Sequence, residues 1–150
     1  MTAGRKLEQG GFTLLELMLS IMIITILTGI SLPLYESFAR RNNLDITTQS
    51  VAAAIRRAET YARGNNGDSV WGIAIQTTSV TLFKGTSYAA RTTAFDEVIS
   101  LPGTVTASGL SEVTFAKLSA APSSTGSLTL TSTTSDSRTI TINSEGMVDY

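Results

Sequence analysis

The chain has 150 residues, of which only 15% are charged, and its formal net charge is −1. It contains neither cysteine nor histidine, which excludes disulfides, Cys/His zinc sites and every nucleophile–histidine catalytic arrangement. So even a charge balance offers no global basic field for nucleic acid, and the length suits one domain plus a membrane segment.

The first element in chain order is an apolar run. Arg5 and Lys6 precede it, Phe12–Leu15 opens it, and only Glu16 interrupts it before the uncharged stretch from Leu17 to Tyr35. At about 1.5 Å per residue, a helix over 12–35 is roughly 36 Å long, enough to cross a bilayer with some tilt. A soluble helix this apolar all round needs a larger protein around it than this chain supplies. An ordinary secretory signal is also a poor fit. The run exceeds the usual length of about 7–15 residues, and no small-x-small site follows. Orientation is not settled by charge, because Arg40 and Arg41 follow the run as closely as Arg5 and Lys6 precede it.

Glu16 is the anomaly in this segment. A lone carboxylate costs roughly 2.5–3.5 kcal/mol at the centre of a membrane helix and less near an end. Two readings stand: a tolerated boundary residue, or a charge that waits for a cation arriving on assembly. Later in the run, Gly29 weakens the helix interior and Pro33 removes a backbone donor, so a kink is expected there.

From Glu36 to Gly64 the pattern becomes amphipathic. Leu44, Thr48, Val51, Ile55, Ala58 and Ala62 recur at spacings of four and three and predict one buried helical face. Arg40, Arg41, Arg56, Arg57 and Glu59 fall elsewhere and read as a solvated face. Gly64 is expected to take a left-handed cap, and Asn65-Asn66-Gly67-Asp68 is turn chemistry.

Residues 65–150 read as strands. Trp71, Ile73 and Ile75 alternate with small or polar residues, and Thr77-Thr78 links them to "SVTLFK", predicting a hairpin. Leu128 and Leu130, then Ile140 and Ile142, alternate with threonines, as in a half-exposed antiparallel sheet. Pro122–Gly126 and Thr133–Ser137 are expected turns or loops. Gly85–Thr93 is a longer loop without periodicity. The fold class expected is therefore α+β. A long N-terminal helix, membrane-spanning first and amphipathic afterwards, packs on an antiparallel β-sheet head.

No GxSxG elbow, SxxK pair, P-loop or GxGxxG is present, so the chain is read as no enzyme. No cofactor is expected. Asp68, Glu145 and Asp149 form no recognisable calcium loop, so no metal is expected either.

The stretch "GFTLLEL" at Gly11–Leu17 resembles the processing motif of type IV prepilins and type II secretion pseudopilins. The resemblance implies a leader over 1–11, cut between Gly11 and Phe12 by a membrane aspartyl prepilin peptidase. It implies N-methylation of the new terminus at Phe12, and it makes Glu16 the glutamate five residues into the mature chain. Glu16 of one subunit would pair with the Phe12 amine of its neighbour, each charge being costly alone in low dielectric. Pro33 falls where the family commonly has a proline, implying a segment that partly unwinds in a filament.

The later blocks "AAAIRRAETYARGNN", "WGIAI…VTLFKG", "VISLPGTVTAS" and "VTFAKLS…GSLTLTS…SRTITINSEGMVDY" are similar to a narrower group. That group comprises the H-type minor pseudopilins and the minor pilins with the same head. It implies a low-copy structural subunit that initiates or caps a type II secretion pseudopilus or a type IV pilus. The expected partners are the prepilin peptidase, other pilins or pseudopilins, the inner-membrane assembly platform and membrane lipid. The expected location is the bacterial inner membrane, with the N-terminus cytoplasmic and the head periplasmic, and then the filament. The alternatives are a major filament subunit, or a signal-anchored periplasmic binding module that never polymerises. A chain without cysteine departs from the disulfide-closed loop of many major pilins. The tail Ser144–Tyr150 carries two acids and no base, so no nucleic-acid partner is expected through it.

Overall fold

The computed structural model describes residues 11–150, the side chains of 30–34 excepted. The leader expected at 1–11 therefore lies almost wholly outside the described residues.

Helix α1 spans Leu14–Arg63. Its start is local chemistry: the Glu16 backbone N–H donates to Thr13 Oγ1 at 3.2 Å. Thr13 caps the helix, and the glutamate three residues on completes the Thr-x-x-Glu pattern of a helix N-terminus. The other end corrects an expectation. Gly64 is still bonded in helical fashion, its N–H donating to the Thr60 carbonyl at 2.8 Å. The left-handed residue is Asn65, with φ of 51°. Asparagine tolerates that conformation better than most side chains do, so the cap falls one residue later than the glycine suggested.

The chain divides into two units, Met1–Ser37 and Phe38–Tyr150. In the first, the described apolar side chains of α1, from Leu14 to Leu27, are exposed. Among the described residues no helix is long and apolar enough to cross a membrane. The described apolar stretch, Leu14–Gly29, covers about 24 Å at about 1.5 Å per residue, short of a hydrocarbon core of about 30 Å. The crossing expected over 12–35 continues through residues 30–34, outside the described side chains.

In the second unit, Leu44, Thr48, Val51, Ile55, Ala58 and Ala62 are all buried, as their spacing predicted. Thr47, Ala52 and Ala54 are buried with them, which widens the stripe. The strands are β1 (Trp71–Gln76), β2 (Ser79–Lys84), β3 (Glu97–Ser100), β4 (Val105–Gly109), β5 (Glu112–Phe115), β6 (Gly126–Ser132), β7 (Ser137–Ile142) and β8 (Val148–Asp149). The expected hairpin is β1–β2, with Gln76 opposite Ser79 and Trp71 opposite Lys84.

The head is two antiparallel sheets rather than one. The first has the order β3-β2-β1-β5 and the second β4-β6-β7-β8. The chain first changes sheet at the Pro102-Gly103 turn, where Val105 N–H donates to the Pro102 carbonyl at 2.8 Å, and it crosses twice more, between β4 and β5 and between β5 and β6. The β1–β2 turn continues the β2–β3 pairing, the Thr78 carbonyl accepting from Leu101 N–H at 2.9 Å, and ties the two sheets together through the Thr77 carbonyl, which accepts from Ala107 N–H of β4 at 3.1 Å. One core joins the buried face of α1 to both sheets, with Ile55, Phe115, Leu130 and Ile140 fully enclosed.

Arg41, Arg56, Arg57 and Arg63 of α1 are exposed, as expected, whereas Arg40 is half-buried, and several of them are bonded. Arg57 pairs with Glu97 at 2.5 Å, and Arg56 donates to the Val148 carbonyl at 3.1 Å. Arg41 lies 3.5 Å from Asp136. These are ties between the helix and the ends of strands, where the sequence suggested only a solvated face.

Candidate functional site: the N-terminal processing segment

Gly11, Phe12 and Thr13 precede the helix and are exposed. Among the described residues nothing lies within 4 Å of a Cβ added at Gly11. The Phe12 ring is 86% exposed, so it makes no use of the chain's own core. The bond between Gly11 and Phe12 is thus non-helical, uncovered by the described residues and bordered by a residue without a side chain, a form that a peptidase can engage as extended backbone.

Two residues beyond that bond the helix begins, and the polar groups inside its apolar part are accounted for locally. Ser20 Oγ donates to the Glu16 carbonyl at 2.7 Å, Thr25 Oγ1 to the Ile21 carbonyl at 2.8 Å and Thr28 Oγ1 to the Ile24 carbonyl at 2.6 Å. Each hydroxyl is satisfied one turn back on its own helix, as such residues are in apolar surroundings. The Glu16 carboxylate is different. It is exposed, in the first turn, on the side of the helix macrodipole that favours an anion. Among the ionisable side chains described from Leu14 to Gly29 it stands alone, so it is the one formal charge an apolar environment would meet there.

The structure therefore groups Gly11, Phe12 and Glu16 on one short stretch, and adds Thr13, which the sequence reading left out. The signal for Thr13 was present in the Thr-x-x-Glu spacing, hidden inside a motif read for its processing chemistry. The expected kink is not placed. Gly29 lies within α1, and among the described residues nothing is within 4 Å of an added Cβ, so no close packing among them requires a glycine there. Pro33 falls among the residues whose side chains lie outside the described set.

Elsewhere, charged groups act structurally. The loop Gly85–Thr93 is closed at its base by Thr92 N–H donating to the Lys84 carbonyl at 2.8 Å. Tyr88 packs edge-on against the buried Phe83, and its N–H donates to Glu112 Oε1 at 2.9 Å. Arg91 lies 3.8 Å over the Tyr88 ring and donates from Nε to Asp96 Oδ2 at 2.7 Å. That hydrogen bond to Asp96 raises the affinity of the guanidinium for its proton above the ordinary value. Asp68 is shifted the other way: the hydrogen bond from Lys117 Nζ, at 2.7 Å, leads the effects holding its carboxyl below the usual range. Among the described residues no group of three or more acids stands together so as to hold a metal ion.

Residues 7–32 match the family model described as the prokaryotic N-terminal methylation motif. The match spans Gly11, Phe12, Glu16 and Gly29, and it supports a type IV prepilin-like protein. No curated protein and no solved structure matches the chain.

Proposed function

We propose that this chain is cut between Gly11 and Phe12, N-methylated at Phe12, and built at low copy into a type IV pilus or type II secretion pseudopilus, where it initiates or caps assembly. The observation that carries this reading is the methylation-motif match over residues 7–32, which coincides with an uncovered, non-helical Gly11–Phe12 bond. Cleavage creates an ammonium at Phe12, one residue before the helix cap. Glu16 then supplies the matching anion to a neighbouring subunit. In an apolar medium two unpaired charges are each expensive, so pairing them selects one axial stagger of the packed helices. The internally bonded hydroxyls of Ser20, Thr25 and Thr28 support burial of the surrounding stripe in the inner membrane, with the head periplasmic. The low-copy role draws on the similarity of the head to minor subunits and on the absence of cysteine.

The test is intact and N-terminal mass spectrometry of the protein from native membranes. The expected mature chain begins at N-methyl-Phe12. A chain that keeps Met1 while the peptidase is present would overturn the reading. Gly11→Trp meets no obstacle within the described chain, so any block to its trimming reports the peptidase's own pocket, and the uncut form should accumulate.

A further inference from the structure

The turn between α1 and β1 reads Asn65-Asn66-Gly67-Asp68, and of the chain's five asparagines only Asn66 precedes a glycine. That order matters chemically. A peptide nitrogen that loses its proton can attack the side-chain amide carbon of the residue before it, and a glycine leaves that nitrogen unshielded by any Cβ. Here the fold itself demands the glycine. Gly67 sits at φ of 65°, and a Cβ built on it would stand 2.5 Å from Lys84 Nζ. Asn66 and Gly67 are both exposed. Among the described residues, neither the Asn66 side-chain amide nor the Gly67 N–H has a hydrogen-bond partner. The other asparagines are placed differently. Asn42 and Asn43 lie within α1, Asn65 is followed by a residue with a side chain, and Asn143 Oδ1 accepts from the Glu145 and Met147 N–H groups at 3.0 and 2.8 Å.

Two neighbours favour the anion that starts this reaction. Removing the proton from Gly67 N puts negative charge on that nitrogen and, by amide resonance, on the Asn66 carbonyl oxygen. Trp71 Nε1–H donates to that same oxygen at 2.8 Å. The Trp71 ring is buried and packed against Tyr61, with centroids 4.8 Å apart, so the donor is fixed in place before the charge develops. The Lys84 ammonium beside Gly67 adds a cation on the nitrogen side. Asp68, the acid of the turn, is paired with Lys117 Nζ at 2.7 Å, which offsets its charge. Ring closure also requires Asn66 to turn about its Cα–C bond. A single 3-10 turn, with Asn65, Gly67 and Asp68 all at positive φ, resists that less than the regular helix around Asn42 and Asn43 does.

We propose that Asn66 is a site of spontaneous deamidation in the folded protein, promoted by the Trp71 donor and the Lys84 ammonium. Gly67 N gives up its proton to solvent and bonds to Asn66 Cγ. The side-chain nitrogen takes up a proton and leaves as ammonia, and a cyclic succinimide remains. Water then adds to one of the two ring carbonyls: opening at Cγ gives aspartate, and opening at the backbone carbonyl gives isoaspartate. Either product places a carboxylate in the turn beside Lys84, and isoaspartate also lengthens the backbone that links α1 to β1. This chemistry is independent of the N-terminal processing. The full chain, in detergent micelles, is incubated at neutral pH and Asn66 is followed by peptide mass mapping, with methylation by an isoaspartyl methyltransferase as the second readout. Conversion is expected at Asn66, with Asn42, Asn43, Asn65 and Asn143 intact. Trp71→Phe keeps an aromatic ring and removes the donor, and should slow conversion about threefold to tenfold. Any loosening of the turn by that substitution acts the other way, so slower conversion reports the hydrogen bond itself. Lys84→Met should slow conversion about twofold, and it is read alone if Trp71→Phe fails to fold. An Asn66 that stays unconverted while a free peptide of residues 61–71 is half converted overturns the proposal. So does an unchanged or faster rate in the variants that fold.

Discussion

Glu16 does two separable things. Its backbone N–H is capped by Thr13, and its carboxylate puts a negative charge in the first turn of α1. Glu16→Gln retains the backbone and loses the charge, so the variant should be trimmed and held in membranes but missing from sheared filaments. Normal incorporation would sink the docking role assigned to the charge. Thr13→Ala makes the converse change, costing about 1 kcal/mol of local helix stability while leaving the charge in place. It should read as faster amide exchange over the first turn of α1. Asp68 supplies a pH-dependent effect at the same scale. Its carboxyl is held low, chiefly by the Lys117 hydrogen bond, so the folded pKa lies below the unfolded value of about 3.9. The stabilisation is therefore present above that unfolded value and is lost as pH falls through the lower folded one. In Lys117→Ala the Asp68 midpoint, followed by NMR titration, should rise toward the ordinary carboxylate range.

Among the elements, β1 is a constrained strand, because both of its faces are covered. Gly72 shows why: an added Cβ would stand 2.7 Å from Phe83 Cζ, 2.8 Å from Thr114 Cγ2 and 2.8 Å from the Val113 carbonyl oxygen. Gly72→Ala should destabilise the head by about 1–3 kcal/mol, measurable by thermal or denaturant unfolding. An unchanged melting temperature would mean that β1 can shift without loss. The alternation of Trp71, Ile73 and Ile75 marked this strand in the sequence, and its two-residue link to β2 marked the hairpin. The burial of Gly72 and Ala74 on the other face was not legible, because the Tyr88 loop that helps to cover that sheet has no periodicity to announce it. The end of α1 was misplaced by one residue for a similar reason. Glycine is the usual left-handed residue, but the helical bond to the Thr60 carbonyl held Gly64 and passed that conformation to Asn65.

For the head as a whole, packing outweighs the surface ties. Ile55, on the buried face of α1, is fully enclosed in the core shared with the sheets, and Ile55→Ala should cost about 2–5 kcal/mol through lost burial and a residual cavity. Arg57 and Glu97 form a close pair with both side chains nearly half exposed, so Arg57→Ala should cost about 0.2–1 kcal/mol. Parallel urea titrations of the two variants would check the order. A larger loss for Arg57→Ala would make the helix–strand tie a principal support of the head.

By itself the sequence determined what nearest neighbours and short periods can encode. The Gly-Phe-x-x-x-Glu spacing, the apolar run, the buried stripe of α1 from Leu44 to Ala62 and the alternation of the main strands are all of that kind. Each depends on residues within a few positions of one another, so a backbone period of 3.6 or 2 is enough to reveal it. Only the tertiary structure decided that the strands divide into two sheets, that Arg41, Arg56 and Arg57 tie the helix to strand ends, and that scattered serines and threonines from three strands align in rows. Thr106 and Thr131 are partners through antiparallel register alone. Hydrogen bonds between such distant segments are chosen by the packing of the shared core, which leaves no signature in either segment.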